Sequence, residues 1–280
     1  MPAEIDRAAM QRAAQEASAA GLLPRIGHVL FRWRSFTPVP LVLIALPLLW
    51  TSRGTPRTSA MIAVGLALCT LGQAFRCWVI GQVPDGTSGQ NESLIATQLN
   101  TRGPYARTRN PLYLGNFGIT LGLCFVAHSW WLIALVSALF ALQYWFIIAA
   151  EEAFLRARFG QAFDDYCAKV PRFWPRLFGV TASESVPLSA ARMLRKEHNP
   201  AAAWLLISIV LIGLDHAALA LRAGLSLTDA QTLSTSPLLP LAIAFAVVLV
   251  AFLGVKAWKH HWFSGGFIAD LKRRRREISR

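Results

Sequence analysis

Residues 101–115 read TRGPYARTRNPLYLG and join a polar loop to a strongly apolar run. Asn110 before Pro111 predicts the start of a helix, because asparagine caps free backbone N–H groups and proline is pre-set for the first turn. Helix initiation alone does not explain why Tyr105 and Tyr113 flank this signal. The stretch therefore predicts both a helix boundary and a site that uses aromatic hydroxyl groups.

The composition around this stretch predicts an all-α, polytopic integral membrane protein without a Rossmann domain. Of the 280 residues, 54% are hydrophobic and 15% are charged, with a mean hydropathy of +0.42. Soluble domains usually carry about 25% charged residues. Apolar runs of about 20 residues recur, the length that a helix needs to cross a bilayer. Six spans are predicted, at residues 36–50, 60–80, 112–127, 129–150, 201–221 and 237–257.

Three regions follow from these spans. Residues 1–35 are expected to form an amphipathic, interfacial segment. Residues 36–180 are expected to form the core, with four spans and a cytoplasmic helix at 151–170. Residues 181–280 are expected to contain a second transmembrane hairpin and a basic tail.

The third and fourth spans are joined only by residues 127–129 and must form an antiparallel hairpin. This hairpin returns Glu151 and Glu152 to the membrane face that carries Asn110. An acidic pair at a basic face predicts a pocket for a cationic, amphipathic small molecule. In the third span, glycines that permit close helix contact recur at steps of three and four residues: Gly115, Gly118 and Gly122.

The basic residues predict that both termini and this pocket face the cytoplasm. The segments then placed inside hold 24 Lys and Arg residues, whereas the outer segments hold only Arg53, Arg57 and Arg222. Arg76 lies inside the second span. The tail at residues 272–276, KRRRR, is interpreted as a topology anchor that attracts anionic lipid, so a nucleic-acid partner is not expected.

Several chemistries are not predicted. The cysteines at positions 69, 77, 124 and 167 show no CxxC spacing, and the histidines are scattered, so no metal site is expected. The chain contains no HExxH, GxSxG or P-loop motif.

Two motifs carry a resemblance to a known family. GPYARTRNPLYLG at residues 103–115 is followed, from residue 151, by EEAFLRARFGQAFDDYCAKVPRFWP. Together they resemble the catalytic core of the isoprenylcysteine carboxyl methyltransferases and related membrane phospholipid methyltransferases, over about residues 84–178. The preceding GQNES, at residues 89–93, is similar to a loop that folds over the cofactor in the prenylcysteine enzymes.

The resemblance implies S-adenosyl-L-methionine as the cofactor and assigns a set of residues to it. The implied cofactor-binding residues are Gln90, Thr97, Gln98, Leu99, Asn100, Tyr105, Asn110, Pro111, Leu112, Tyr113 and Glu151. Glu151 would hold the methionyl ammonium or the ribose through a charge-assisted bond. Glu151, Asn110 and Arg109 form the predicted catalytic set.

Two positions depart from the family pattern. Many members have histidine where this chain has Asn110. The prenylcysteine enzymes have an arginine, which reads the substrate carboxylate, where this chain has Ile147. Ile147 and Gln143 are therefore the predicted substrate-binding positions, and weak activity on prenylcysteines is expected.

The function expected from the resemblance is methylation of a lipophilic small molecule or lipid in the bilayer, by O-methylation of a carboxylate. N-methylation of an aminolipid and S-methylation of a small thiol stay open. An amine would need a base, for which Glu152 and Asp164 are candidates. Three arginines are candidates to steer an acidic headgroup: Arg109, Arg156 and Arg172. Outside this class stand a sterol-reductase-like enzyme using NADPH, a non-catalytic membrane binding protein and a transporter.

Overall fold

The computed structural model describes residues 12, 15, 16, 19, 21–33, 59–83, 96, 98–176, 178, 187–227 and 237–259. These residues form seven α-helices and no strand, which confirms the predicted all-α class for this part of the chain. The helices are α1 Leu22–Trp33, α2 Ser59–Gln82, α3 Pro111–Val126, α4 Trp130–Phe159, α5 Gln161–Lys169, α6 Ala190–Arg222 and α7 Leu238–Lys259. A single 3₁₀ turn, Gly103–Ala106, precedes α3.

Four of the described helices are long and apolar enough to cross a membrane: α2, α4, α6 and α7. Helix α3 has 16 residues and measures about 24 Å, against the roughly 30 Å of a hydrocarbon core. These five helices correspond to five predicted spans, and the protein is a polytopic membrane protein. The remaining predicted span, residues 36–50, lies outside the described residues.

Helix α4 differs from the prediction at its C-terminal end. The predicted span ends at residue 150 and a separate helix is predicted from 151, whereas α4 continues to Phe159. It ends at Gly160, whose φ of 53° favours glycine. Glu151 lies 21 residues after Trp130, a rise of about 32 Å along the axis. The acidic pair therefore lies where α4 leaves the hydrocarbon.

The chain divides into two compact units, residues 1–189 and 190–280. In the first unit, α2 and α3 approach so closely that only glycine fits between them. A Cβ added to Gly122 would lie 2.5 Å from the Gly65 carbonyl oxygen, and one added to Gly72 would lie 2.7 Å from the Gly115 oxygen. The close packing predicted from the glycines of the third span is confirmed.

Helix α1 packs against α4 through another glycine. A Cβ on Gly27 would lie 1.9 Å from the Phe146 carbonyl oxygen, so the two backbones are in direct contact. Beside this contact, Phe31, Ile147 and Phe154 form a buried apolar cluster. The interfacial helix predicted in residues 1–35 thus attaches to the helix that carries the acidic pair.

In the second unit, α6 packs against α7, and the His198 ring stacks on Phe252 with centroids 6.0 Å apart. Helix α6 buries Ser208 and Asp215 seven residues apart on one face. Asp215 is an acidic residue inside a predicted span that the sequence analysis does not single out.

The glycine contact yields a stability prediction. Gly122→Ala is expected to destabilise the first unit by about 1–3 kcal/mol, because its methyl group would overlap the α2 backbone. Gly118→Ala is the matched control on the same helix, since its nearest neighbour would be an ordinary 3.4 Å away. Thermal unfolding of the detergent-solubilised variants tests this difference. Equal melting temperatures for the two variants would contradict the packing described here.

Candidate functional site

The site centres on a hydrogen bond between the first turn of α3 and the C-terminal part of α4. The Tyr113 hydroxyl donates to Glu151 Oε1 at 2.7 Å. The Tyr113 ring also packs on Tyr144, with centroids 4.4 Å apart. Residues 144 and 151 are seven apart and share one face of the helix. The antiparallel hairpin brings together Tyr113 and Glu151, two of the predicted cofactor residues.

A second set of polar side chains extends from this centre to α2. Arg76 donates a hydrogen bond to Asn116 Oδ1. The Asn116 amide in turn donates to the Tyr144 hydroxyl at 3.1 Å. A Cβ on Gly115 would lie 2.5 Å from Arg76 Cγ. The arginine side chain therefore crosses α3 at a glycine, and Asn116 connects it to the face of α4 that carries Glu151.

Tyr105 lies in the 3₁₀ turn before α3, close to both charges. Burial raises the pKa of its hydroxyl well above the ordinary value of 10; the Glu151 carboxylate raises it further and the Arg76 guanidinium lowers it. The hydroxyl therefore stays protonated at physiological pH. It is able to donate a hydrogen bond, and it stands within electrostatic reach of an anion and a cation at once.

Glu152 points away from this centre and binds two arginines. Its Oε1 accepts from Arg109 at 2.8 Å and from Arg172 at 3.0 Å, and its Oε2 accepts from Arg172 as well. The side chains of Glu152, Arg109 and Arg172 are 13%, 17% and 25% exposed. Arg109 also donates to the sulfur of Cys167 at 3.0 Å. This cluster ties the segment before α3 to α4 and α5.

Arg156 and Asp164 form another ion pair, with 2.7 Å between Nε and Oδ1. All three arginines proposed to steer a headgroup are therefore held by acidic side chains. Glu152 and Asp164, the two candidate bases, are in turn held by arginines. These contacts favour structural roles for the three arginines and the two candidate bases, for which the sequence predicts roles in substrate binding and proton transfer.

Residues 171–176, here called the clamp segment, run beside the Arg-Asn-Pro motif. The Arg109 backbone N–H donates to the Pro171 oxygen at 2.9 Å, and the Thr108 hydroxyl donates to the Phe173 oxygen at 2.8 Å. The Asn110 side-chain amide donates to the Arg172 oxygen at 3.0 Å. Asn110 is the N-cap residue of α3 by position, but its side chain makes no capping bond. The predicted capping is wrong, because this side chain holds the clamp segment.

The other predicted cofactor residues differ in burial where the structure describes them. Leu99 packs against the buried cluster of Phe163, Tyr166 and Val170. Pro111 is buried, Leu112 and Asn100 are partly buried, and Gln98 is exposed. Gln90 and Thr97 lie outside the described residues, so their cofactor contacts stay predictions.

The two predicted substrate positions differ in exposure. Ile147 is 0% exposed and belongs to the apolar cluster with Phe31. Gln143 is partly buried. A larger or charged side chain at position 147 would have to displace this cluster.

The predicted site residues do not include Arg76, Asn116 and Tyr144. A signal existed, because each is a polar residue within an apolar span. Asn116 also lies three residues after Tyr113, and Tyr144 seven before Glu151, spacings that place each pair on one helix face. What the sequence does not show is which faces of α2, α3 and α4 meet.

Comparison with known proteins supports the resemblance. Residues 60–162, 103 of the 280, match the family model described as phospholipid methyltransferase, which confirms the family resemblance drawn from the motifs. This segment includes Arg76, Tyr113 and Glu151. No solved structure matches the chain.

Two curated relatives share part of the chain. The nickel-cobalt-cadmium resistance protein NccN of Alcaligenes xylosoxydans xylosoxydans is 35% identical over 120 residues, which cover 43% of this chain and 52% of the relative. The cobalt-zinc-cadmium resistance protein CzcN of Cupriavidus metallidurans is 33% identical over 114 residues, 41% of this chain and 47% of the relative. The matches thus span about half the length of each relative.

The Glu152 cluster yields a second prediction. Glu152→Gln removes the carboxylate shared by Arg109 and Arg172 and is expected to cost about 1–3 kcal/mol of stability. Asp164→Asn is the matched control, because its ion pair with Arg156 is 44–53% exposed and contributes about 0–1 kcal/mol. The Arg176 backbone N–H donates to the Arg107 oxygen at 3.0 Å. Faster amide exchange at Arg109 and Arg176, measured by mass spectrometry, should accompany the Glu152 change only. Equal protection in both variants would contradict the role of Glu152 in holding the clamp segment.

Proposed function

We propose that this protein is an integral membrane S-adenosyl-L-methionine-dependent methyltransferase that acts on a lipophilic acceptor at the cytoplasmic boundary of the bilayer. The observation that carries the proposal is the Tyr113–Glu151 hydrogen bond at the end of a spanning helix, within the segment that matches the methyltransferase family model. The cytoplasmic orientation rests on the excess of basic residues in the segments assigned to that side.

The chemistry of the pocket residues fits this cofactor. Its methionyl group carries an ammonium, a carboxylate and a sulfonium, and the pocket offers the Glu151 carboxylate beside two tyrosine hydroxyls. When bound, S-adenosyl-L-methionine supplies a methyl group on an activated sulfonium leaving group. Glu151 would hold the ammonium, and the Tyr113 hydroxyl keeps the carboxylate in place.

The chain's contribution to the reaction would be alignment of the acceptor with the methyl group. A carboxylate acceptor needs no base, whereas an ammonium acceptor must first lose a proton. Glu152 and Asp164, the candidate bases, are engaged by arginines. This favours O-methylation of an acidic, lipophilic acceptor.

N-methylation of an aminolipid is the second candidate, and the description of the matching family as phospholipid methyltransferase favours it. The relatives are named for metal resistance. Within the described residues, no group of three His, Cys, Asp or Glu side chains is placed to hold a metal ion. The proposal rests on the family match and on the pocket.

The acceptor would enter from the lipid. Helix α4 exposes apolar side chains along its length: Leu135, Leu139, Leu142 and Trp145. The Trp145 ring also lies under the Arg172 guanidinium, 5.0 Å from its carbon to the ring centroid. An aromatic ring beside a guanidinium in the C-terminal half of α4 suits the headgroup region of the bilayer.

Incorporation of labelled methyl groups into lipid extracts distinguishes the two acceptors. O-methylation predicts a product that loses its label as methanol on mild alkaline hydrolysis, because an ester is cleaved. A label that resists alkali and travels with an aminolipid would favour N-methylation. Absence of any lipid label, with an enzyme that binds the cofactor, would contradict both acceptors.

Glu151→Ala is expected to weaken binding of S-adenosylhomocysteine by about thirtyfold or more, because a charge-assisted contact of about 2–4 kcal/mol is lost. Tyr113→Phe should cost less, about tenfold, since it removes only the hydrogen bond that orients the carboxylate. Calorimetry on the detergent-solubilised protein measures both, with Asp164→Asn as the charge-matched control. Unchanged affinity in Glu151→Ala would refute its role, and an absence of binding by the unmodified protein would refute the cofactor.

A further inference from the structure

The position that reads a carboxylate in the prenylcysteine enzymes is apolar here. Ile147 carries no charge, and it is fully buried in a cluster with Phe31 and Phe154. Arg109, the cation nearest the motif in sequence, is bound to Glu152 and Cys167. A cation for an acidic ligand group would have to come from another helix.

Arg76 is placed to serve this purpose. It lies on α2 six residues before the helix ends at Gln82, within a span where an ionised side chain is costly and usually faces the protein interior. Its stem crosses Gly115, where a methyl group would lie 2.5 Å from Arg76 Cγ. Its guanidinium bonds to Asn116, which bonds to Tyr144 on the face of Glu151.

We propose that Arg76 is the carboxylate-binding residue of this pocket. Together with Glu151, it would bind a ligand that carries charges of both signs. This inference rests on the proposed function and extends it to a residue outside both sequence motifs. The carboxylate belongs either to the methionyl part of the cofactor or to the headgroup of the acceptor.

The geometry supports an arginine rather than a general positive charge. A guanidinium presents five N–H donors in a planar fork that matches a carboxylate, and one contact can orient the group while others bind. Asn116 supplies the orienting contact. Tyr144 links the two charges, because its hydroxyl accepts from Asn116 and its ring packs on Tyr113, the residue that donates to Glu151.

The test compares S-adenosyl-L-methionine with its decarboxylated form, which differs only in the carboxylate. By calorimetry, the unmodified protein is expected to prefer the intact cofactor by about tenfold or more. In Arg76→Gln this preference should fall to about twofold or less, because the partner of the carboxylate is lost. Arg156→Gln, which removes an arginine from an exposed ion pair, should keep the full preference.

A second arm identifies the acceptor as the source of the carboxylate. If Arg76→Gln keeps the cofactor preference but loses labelled methyl transfer to the acidic lipids of a membrane extract, Arg76 binds the acceptor headgroup. If both the preference and the transfer are unchanged, the proposal is overturned.

The folding of the variant and the proposed function are controlled separately. If Arg76→Gln does not fold, Arg76→Lys replaces it. The loss of the planar fork should reduce the preference for the intact cofactor to about a third or less of its value in the unmodified protein. A full preference in Arg76→Lys, with unchanged transfer to acidic lipids, would overturn the proposal. If the unmodified protein binds neither form of the cofactor, the proposed function itself has failed; a failure in the variants alone leaves it standing.

Discussion

The site depends on the close approach of α2 and α3 at their glycines. Lipid provides no hydrophobic force to drive two apolar helices together, so contact relies on small residues that let backbones meet. At Gly72 and Gly115 the helices are close enough for the Arg76 side chain to cross α3. A wider spacing would separate Arg76 from Asn116 and break the polar connection to α4. The glycines therefore position charged groups as well as packing the helices.

The two neighbouring glutamates at the end of α4 show how one short motif serves two purposes. Successive helical residues point about 100° apart, so Glu151 and Glu152 face different surroundings. Glu152 meets Arg109 and Arg172 and fastens the loops to the helix. Glu151 accepts a hydrogen bond from the Tyr113 hydroxyl, a neutral donor that orients the carboxylate. One glutamate of the pair thus fastens the scaffold, and the other belongs to the site centred on Tyr113.

The sequence predicts those parts of the fold that depend on local pattern: five of the described helices by their apolar length, the hairpin by its short turn, and the close contact of α3 by its glycines. It fails where a distant segment competes for a side chain. Asn110 follows the rules for a helix cap, yet its amide binds the Arg172 oxygen, 62 residues away in sequence. Arg76 is recognised only as a charge inside a span, because sequence spacing does not reveal which helix faces α2. The end of α4 was accessible from the sequence, since Gly160 is the first breaker after the acidic pair.

The pairing of charges in this pocket also bears on the acceptor. Transfer of a methyl group from a sulfonium to a carboxylate turns a cation and an anion into two neutral products. Transfer to a neutral amine leaves a positive charge behind. Attraction between opposite charges is stronger at low dielectric, so a pocket at the edge of the bilayer would hold an anionic acceptor beside a sulfonium more firmly than water does. Arg109, Arg156 and Arg172 are held by carboxylates, so a sulfonium would attract such an acceptor more strongly than these arginines do. If Arg76 binds the methionyl carboxylate, the sulfonium would be left to attract the acceptor anion toward the methyl group.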